Sequence, residues 1–195
     1  MKPTEISLRD QILSTAKGLF LLHGYHGLSM RQISESVGVS KAALYYHFKD
    51  KEELFVALLS KNLEEIERNI DLIQAKPISY KAKITQFIEY IFKEPVDQRA
   101  IIRLASQEMA QLGLETRKSF SEAYQNKFTG KLQQIIQDGI LAGELLPMDP
   151  VVANRALLGI LYPYFFQSEP GANPISPEII QQIIDIYMNG VSKNK

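Results

Sequence analysis

Apolar residues recur at three- and four-residue spacing along almost the whole chain, and no segment alternates convincingly with period two. The pattern predicts an all-α protein. Leu8, Ile12, Ala16, Leu19 and Phe20 mark a first amphipathic helix that ends near His23 and Gly24. Ser29, Ser40 and Asp50 then stand as three successive N-caps, each a short polar side chain able to accept from the free N–H groups of the turn that follows. They predict a short helix over Met30–Val37, a shorter one from Lys41 to about His47, and a long one carrying Leu54, Leu58, Leu63, Ile66 and Ile70.

Proline and glycine punctuate the rest, with no Pro between Pro3 and Pro77. Helical faces follow at Ile84–Phe92, at Ile101–Leu112 and at Phe120–Ile136, the last closed by Gly139, Gly143 and the break at Pro147 and Pro150. Val152–Phe166 and Ile179–Val191 supply a final pair, apolar on more than one face. The expectation is about nine helices: a three-helix N-terminal domain over 1–52 and a larger helical domain over 53–195, joined by the long fourth helix.

Composition narrows the class. The chain has 195 residues, 22 Lys+Arg against 22 Asp+Glu, and no Cys, which excludes a disulfide framework, a Cys-based metal site and a thiol nucleophile. The longest uncharged apolar run, Ala156–Phe166, is well short of the roughly 20 residues a bilayer needs. No membrane span and no secretory signal are expected, and a cytoplasmic protein fits. Balanced net charge means that any nucleic-acid site must be a local patch.

Residues 29–48 carry such a patch on helix-turn-helix spacing. Gly38 supplies the turn position that tolerates positive φ, and Ile33, Val37, Val39 and Leu44 supply a shared apolar seam. A helical hairpin of a structural bundle uses the same devices. The third helix adds what such a hairpin does not need: Lys41, Tyr45, Tyr46, His47 and Lys51 put hydrogen-bond donors on its solvent side, beside Ser29 and Arg31. Seven basic residues face four acidic ones through Lys51.

The run Gly24-Tyr25-His26-Gly27-Leu28-Ser29-Met30-Arg31-Gln32-Ile33, followed by Val37-Gly38-Val39-Ser40-Lys41-Ala42-Ala43-Leu44-Tyr45-Tyr46-His47-Phe48 and on to Leu54, resembles the DNA-binding domain of TetR-type transcriptional regulators. The resemblance covers about the first quarter of the chain; the remainder is similar by architecture only. It implies a homodimeric repressor that binds a palindromic operator in double-stranded DNA and is released by a small-molecule effector, with no cofactor. By motif position, Ser29, Tyr45, Tyr46, His47 and Lys51 would touch phosphate, while Arg31 and Lys41 would read guanine edges and Ala42 a thymine methyl. His47 has no suitable partners for a metal site, since only His23 and His26 accompany it.

The second domain speaks only through its pattern. Glu108 lies on or beside the buried face of its helix, either in an ion pair with Arg99, Arg103 or a neighbouring helix, or as a ligand-orienting acid facing Phe87, Tyr90, Met109, Phe120, Tyr124 and Phe128. The second reading suits an amphipathic or cationic effector. In the last two helices, Leu157, Leu161, Tyr164, Phe165, Ile180, Ile183, Ile184 and Tyr187 are expected to form a two-fold interface in an intermolecular four-helix bundle. An enzyme is the main competitor, but no H-E-x-x-H, G-x-S-x-G, P-loop or dinucleotide glycine pattern occurs. A helical adaptor whose motif binds protein is the third reading; the basic, hydrogen-bonding third helix favours phosphate over an apolar groove.

Overall fold

The computed structural model describes residues 7–166 and 175–192, without the side chains of Phe165 and Phe166. Among these residues the elements are α1 (Leu8–His23), α2 (Met30–Val37), α3 (Lys41–His47), α4 (Lys51–Gln74), α5 (Tyr80–Lys93), α6 (Val96–Glu108), α7 (Leu114–Tyr124), α8 (Gly130–Leu141), α9 (Pro150–Phe166) and α10 (Pro177–Val191). A π-helical turn, Gln125–Thr129, joins α7 to α8 without a break, so the ten segments make the nine expected from the pattern. The only β pairing among the described residues is an isolated bridge between Leu145 and Ser192.

The described chain divides into two compact units. One holds the residues up to Asn62 together with Ile101–Phe120; the other holds Leu63–Ala100 and Ser121 onward. The sequence division at 52/53 thus differs from the packing, because the first turns of α4, the C-terminal half of α6 and most of α7 pack with the N-terminal helices.

In the first unit each short helix begins as its cap demands. Ser29 Oγ accepts from Gln32 N while Gln32 Oε1 accepts from Ser29 N at 2.9 Å, a reciprocal capping box. Ser40 Oγ accepts from Ala43 N at 3.1 Å, and Asp50 Oδ1 from Glu53 N at 2.7 Å. Gly38, with φ +78°, turns the chain between α2 and α3 in the left-handed region. Ile12, Ala16, Phe20, Ile33, Leu44, Phe48, Leu54 and Phe55 form the core, with Phe20 edge-on to Phe55 at 5.0 Å. Asp10 takes Lys61 at 2.6 Å, tying α1 to α4.

In the second unit α8 packs on α5 and α9, and α10 packs on α5 and α9. Ile84, Phe87, Ile88, Phe128, Leu132, Ile135, Ile136, Leu157 and Leu161 are its buried centre. On its surface Lys131 reaches Asp71 at 2.5 Å and Glu67 at 3.3 Å, and Lys127 reaches Glu67 at 3.1 Å.

Candidate functional site

The polar face expected on α3 is displayed. Lys41, Ala42, Tyr45 and Tyr46 are exposed, Tyr46 to 86%, and only Leu44 of this helix is buried. An amphipathic aromatic so fully in solvent takes no part in the core of the single chain and is available to a partner. His47 is half-buried, with its ring edge-on to Tyr46 at 5.2 Å. Ser29 and Arg31 are exposed on α2. Arg31 Nε is held by Glu35 Oε1 at 2.7 Å, a solvated i, i+4 pair that raises the arginine pKa.

Lys51 is placed differently from its expected position on phosphate. Its Nζ donates to the carbonyl oxygens of Tyr25 at 2.6 Å and Leu28 at 2.8 Å, and sits 4.3 Å from the centre of the Tyr25 ring. Burial lowers the ammonium pKa, and nearby Glu108 offsets part of that shift. The long stem lets the head reach inward and satisfy carbonyls of the α1–α2 loop. Lys49, absent from the expected set, is the exposed basic residue at this end of α3; the basic count through residue 51 is the only sequence signal for it.

Glu108 is likewise engaged within the first unit. Its Oε1 accepts from the Tyr25 backbone N–H at 3.3 Å, so the carboxylate expected either in an ion pair with Arg99, Arg103 or a neighbouring helix or as a ligand-orienting acid serves the loop that leads into α2. Periodicity places it near a buried face correctly but does not say which neighbour it meets. Two further links run alongside: His26 Nε2 with Gln111 Oε1 at 3.1 Å, and Glu52 accepting from Gly113 N and from the Thr116 hydroxyl. An open groove of about 310 Å³ lies beside Glu52, lined by Lys49, Asp50, Glu53 and Thr116 among others; its carboxylates make it unfit for phosphate.

The other expected effector residues fall into two groups. Met109 and Phe120 belong to the first unit, and Phe87, Tyr90, Tyr124 and Phe128 to the second. In the second, Phe87 and Phe128 lie 6.0 Å apart and Tyr124 stands edge-on to Phe128 at 5.2 Å. Burial, with a smaller contribution from Tyr162, pushes the Tyr124 hydroxyl up to about 12. Tyr90 is raised further, by burial first and then by Glu94 and Glu65. Two buried polar side chains of this unit have unused hydrogen-bonding capacity: Asn154, whose Nδ2 donates to Thr129 O at 2.9 Å but whose Oδ1 has no partner, and Arg99, whose Nε and Nη1 have none.

The last two helices correct the expected interface residue by residue. Leu157, Leu161, Ile183, Ile184 and Tyr187 are at most 5% exposed and belong to the core of the single chain, where Tyr187 OH donates to Ala153 O at 3.2 Å. Tyr164 is half-buried against Phe92, Ile180 is half-buried, and the Phe165 side chain lies outside the described residues. The apolar surface left in solvent is on the opposite face: Val152, Ala156, Gly159 and Tyr162 on α9, Ile179 and Ile186 on α10. On α9 both faces read as apolar in sequence and packing decides which is covered, whereas the exposed face of α10 also carries Glu178, Gln181, Gln182 and Asp185.

Residues 12–58 match the family profile of bacterial regulatory proteins of the tetR family, and residues 77–165 match that of the tetracyclin repressor-like C-terminal domain. The chain belongs to the TetR family. As a TetR-family protein it is a DNA-binding transcriptional regulator and not an enzyme, as its sequence suggested. It is 24% identical over 190 residues to the uncharacterized HTH-type transcriptional regulator YhgD of Bacillus subtilis, covering 97% of this chain and 99% of that protein. It is 29% identical to the HTH-type transcriptional regulator QacR of Staphylococcus aureus, over 96% of this chain and all of that one. Among solved structures, AibR in complex with isovaleryl coenzyme A and operator DNA shares the fold with a TM-score of 0.78 at 22% identity, over 92% of this chain and 97% of that one. No described helix of this TetR-family chain is long and apolar enough to cross a membrane.

Proposed function

We propose that this protein is a cytoplasmic, homodimeric repressor that docks α3 in the major groove of a palindromic operator and is released by a small-molecule effector taken up by the second unit. The single observation that carries the docking surface is the exposed polar face of α3, with Tyr46 in full solvent beside Lys41 and Tyr45. Lys41, Arg31 and Ala42 are the base readers in this reading; Ser29, Tyr45, Tyr46, His47 and Lys49 hold phosphate.

A seven-residue reading helix touches too few bases alone, so two copies held about 34–36 Å apart, or a multiple of that spacing, are required. The exposed stripes of α9 and α10 offer the self-complementary surface that holds them. A gel shift on the DNA flanking the protein's own gene tests the reading, with Lys41→Ala and Tyr46→Ala as controls. Sequence-specific retention by the native chain, abolished in both variants at unchanged melting temperature, is expected. Undiminished binding by both would remove α3 from the interface.

A further inference from the structure

We propose that Arg99 is the anchor of an anion site in the second unit, which takes the carboxylate or phosphate group of an otherwise apolar effector. The inference deepens the regulator reading and rests on it for the word effector, but the site stands on its own geometry. Arg99 is 5% exposed, and its Nε and Nη1 are buried with no hydrogen-bond partner among the described residues. Burial is the only influence that shifts its pKa, downward, and no carboxylate contributes an opposing one.

A guanidinium cannot escape the problem by losing its proton at ordinary pH, so it stays a charge in a dry place. Chains that bury an arginine for structural reasons give it a carboxylate or a set of carbonyls. Of the acids in the unit, Glu67 and Asp71 are engaged with Lys127 and Lys131, Glu89 with Lys93 and Glu65 with Gln98 at 3.0 Å, and no carboxylate hydrogen-bonds to Arg99 Nε or Nη1.

Position on the helix makes the case independently. Arg99 is the fourth residue of α6, and its backbone N–H bonds to Pro95 O at 3.1 Å in the first turn. The first turn is the positive end of the helix dipole, where a cation is disfavoured and an anion is favoured. Asp97 already places one carboxylate in this turn, and a bound anion would add the counter-charge that the Arg99 guanidinium lacks. The free Nε–H and Nη1–H point from opposite sides of the planar guanidinium, and each can donate a charge-assisted hydrogen bond to a carboxylate or phosphate oxygen. The buried centre of the unit is mainly aliphatic and aromatic, with Ile84, Phe87, Ile88 and Phe128 among its side chains and Lys83 and Asn154 as its other polar members.

The test reads the thermal unfolding of the full-length protein, without DNA, against four ten-carbon probes below their micellar range: decanoate, decyl phosphate, decanol and decyltrimethylammonium. A ligand that binds only the folded state raises the melting temperature with its concentration. Decanoate or decyl phosphate should stabilise the native chain more than decanol or the cation, and the larger of the two shifts identifies the head group. Arg99→Met should melt no lower than the native chain when unliganded, and should bind the better anion about ten- to a hundredfold more weakly. Arg99→Lys, which keeps the charge without the fork, should retain part of the anion's advantage. Equal shifts by the anions and decanol on the native chain would overturn the proposal, and so would an anion advantage that survives in Arg99→Met. Arg99→Met should still bind operator DNA; a failure of native DNA binding would instead strike the regulator reading and leave the anion shift to be judged by itself.

Discussion

Glu108 Oε1 accepts the backbone N–H of Tyr25 at 3.3 Å, so the last residue of α6 holds the loop that delivers α2. Lys51 closes the same loop from the other side through the carbonyls of Tyr25 and Leu28. The loop that leads into the helix-turn-helix is therefore tied to α6 and α4 as well as to the packing of its own helices. Removing the acceptor with Glu108→Ala leaves a part-buried N–H unpaired and should lower stability by about 1–3 kcal/mol. Glu108→Gln keeps an oxygen there and should lose less. Thermal melts of the two variants check the order.

Gly24 sits beside the same carboxylate with φ +69°, and a Cβ added there would stand 2.9 Å from Glu108 Oε1. Gly24→Ala should cost about 1 kcal/mol or more from the backbone conformation alone, plus the displaced carboxylate. In a Glu108→Ala background only the backbone part remains, so the two losses should sum to more than the double variant shows. Strict additivity in a double-mutant cycle would show that the two residues do not touch.

Lys51→Met should act on stability and not on salt dependence. Its ammonium serves loop carbonyls, so its removal should lower the melting temperature while the slope of log affinity against log salt stays put. Lys49→Ala should do the reverse, reducing the slope by about 0.9 for the one phosphate it no longer neutralises. Salt titrations of operator binding separate the two lysines.

Charges placed on the two faces of the last hairpin should give opposite outcomes. Leu161 is fully buried, and Leu161→Glu should unfold the second unit, read as a collapse of helical circular dichroism. Ile186 is 64% exposed, and Ile186→Glu should keep the helices yet yield monomers in sedimentation equilibrium, with a steep fall in operator binding. A dimeric Ile186→Glu protein would move the interface elsewhere.

The Glu67, Asp71, Lys127 and Lys131 cluster sets a pH window. Hydrogen bonds with Lys127 and Lys131 hold the Glu67 carboxyl below its ordinary value, so its share of stability is present above the usual carboxylate range and is lost as pH falls through the lowered value. Asp71 first, and then Glu67, raises the Lys131 pKa, so its share is present below the usual lysine value and lost as pH rises through the raised one. Lys131→Met should cost about 1 kcal/mol near neutrality. Its penalty should vanish in acid, where native and variant melting temperatures should converge.

The sequence by itself determined the helices, the caps at Ser29, Ser40 and Asp50, the glycine turn at Gly38 and the polar, solvent-facing character of α3. Each depends on residues within about one turn of each other, and local backbone chemistry is written locally. Side-chain destinations are not. Lys51 and Glu108 are long, flexible chains whose charged ends lie several ångströms from their own backbone, and both end on the Tyr25 loop, 26 and 83 residues away. Leu161 and Ile186 are equally apolar letters, and only the packing of α5 and α8 against α9 and α10 covers one and leaves the other. Arg99 reads in the sequence as a possible ion-pair partner of Glu108, and the tertiary structure instead buries it with Nε and Nη1 unpaired, a property of everything that surrounds it and of no residue near it in the chain.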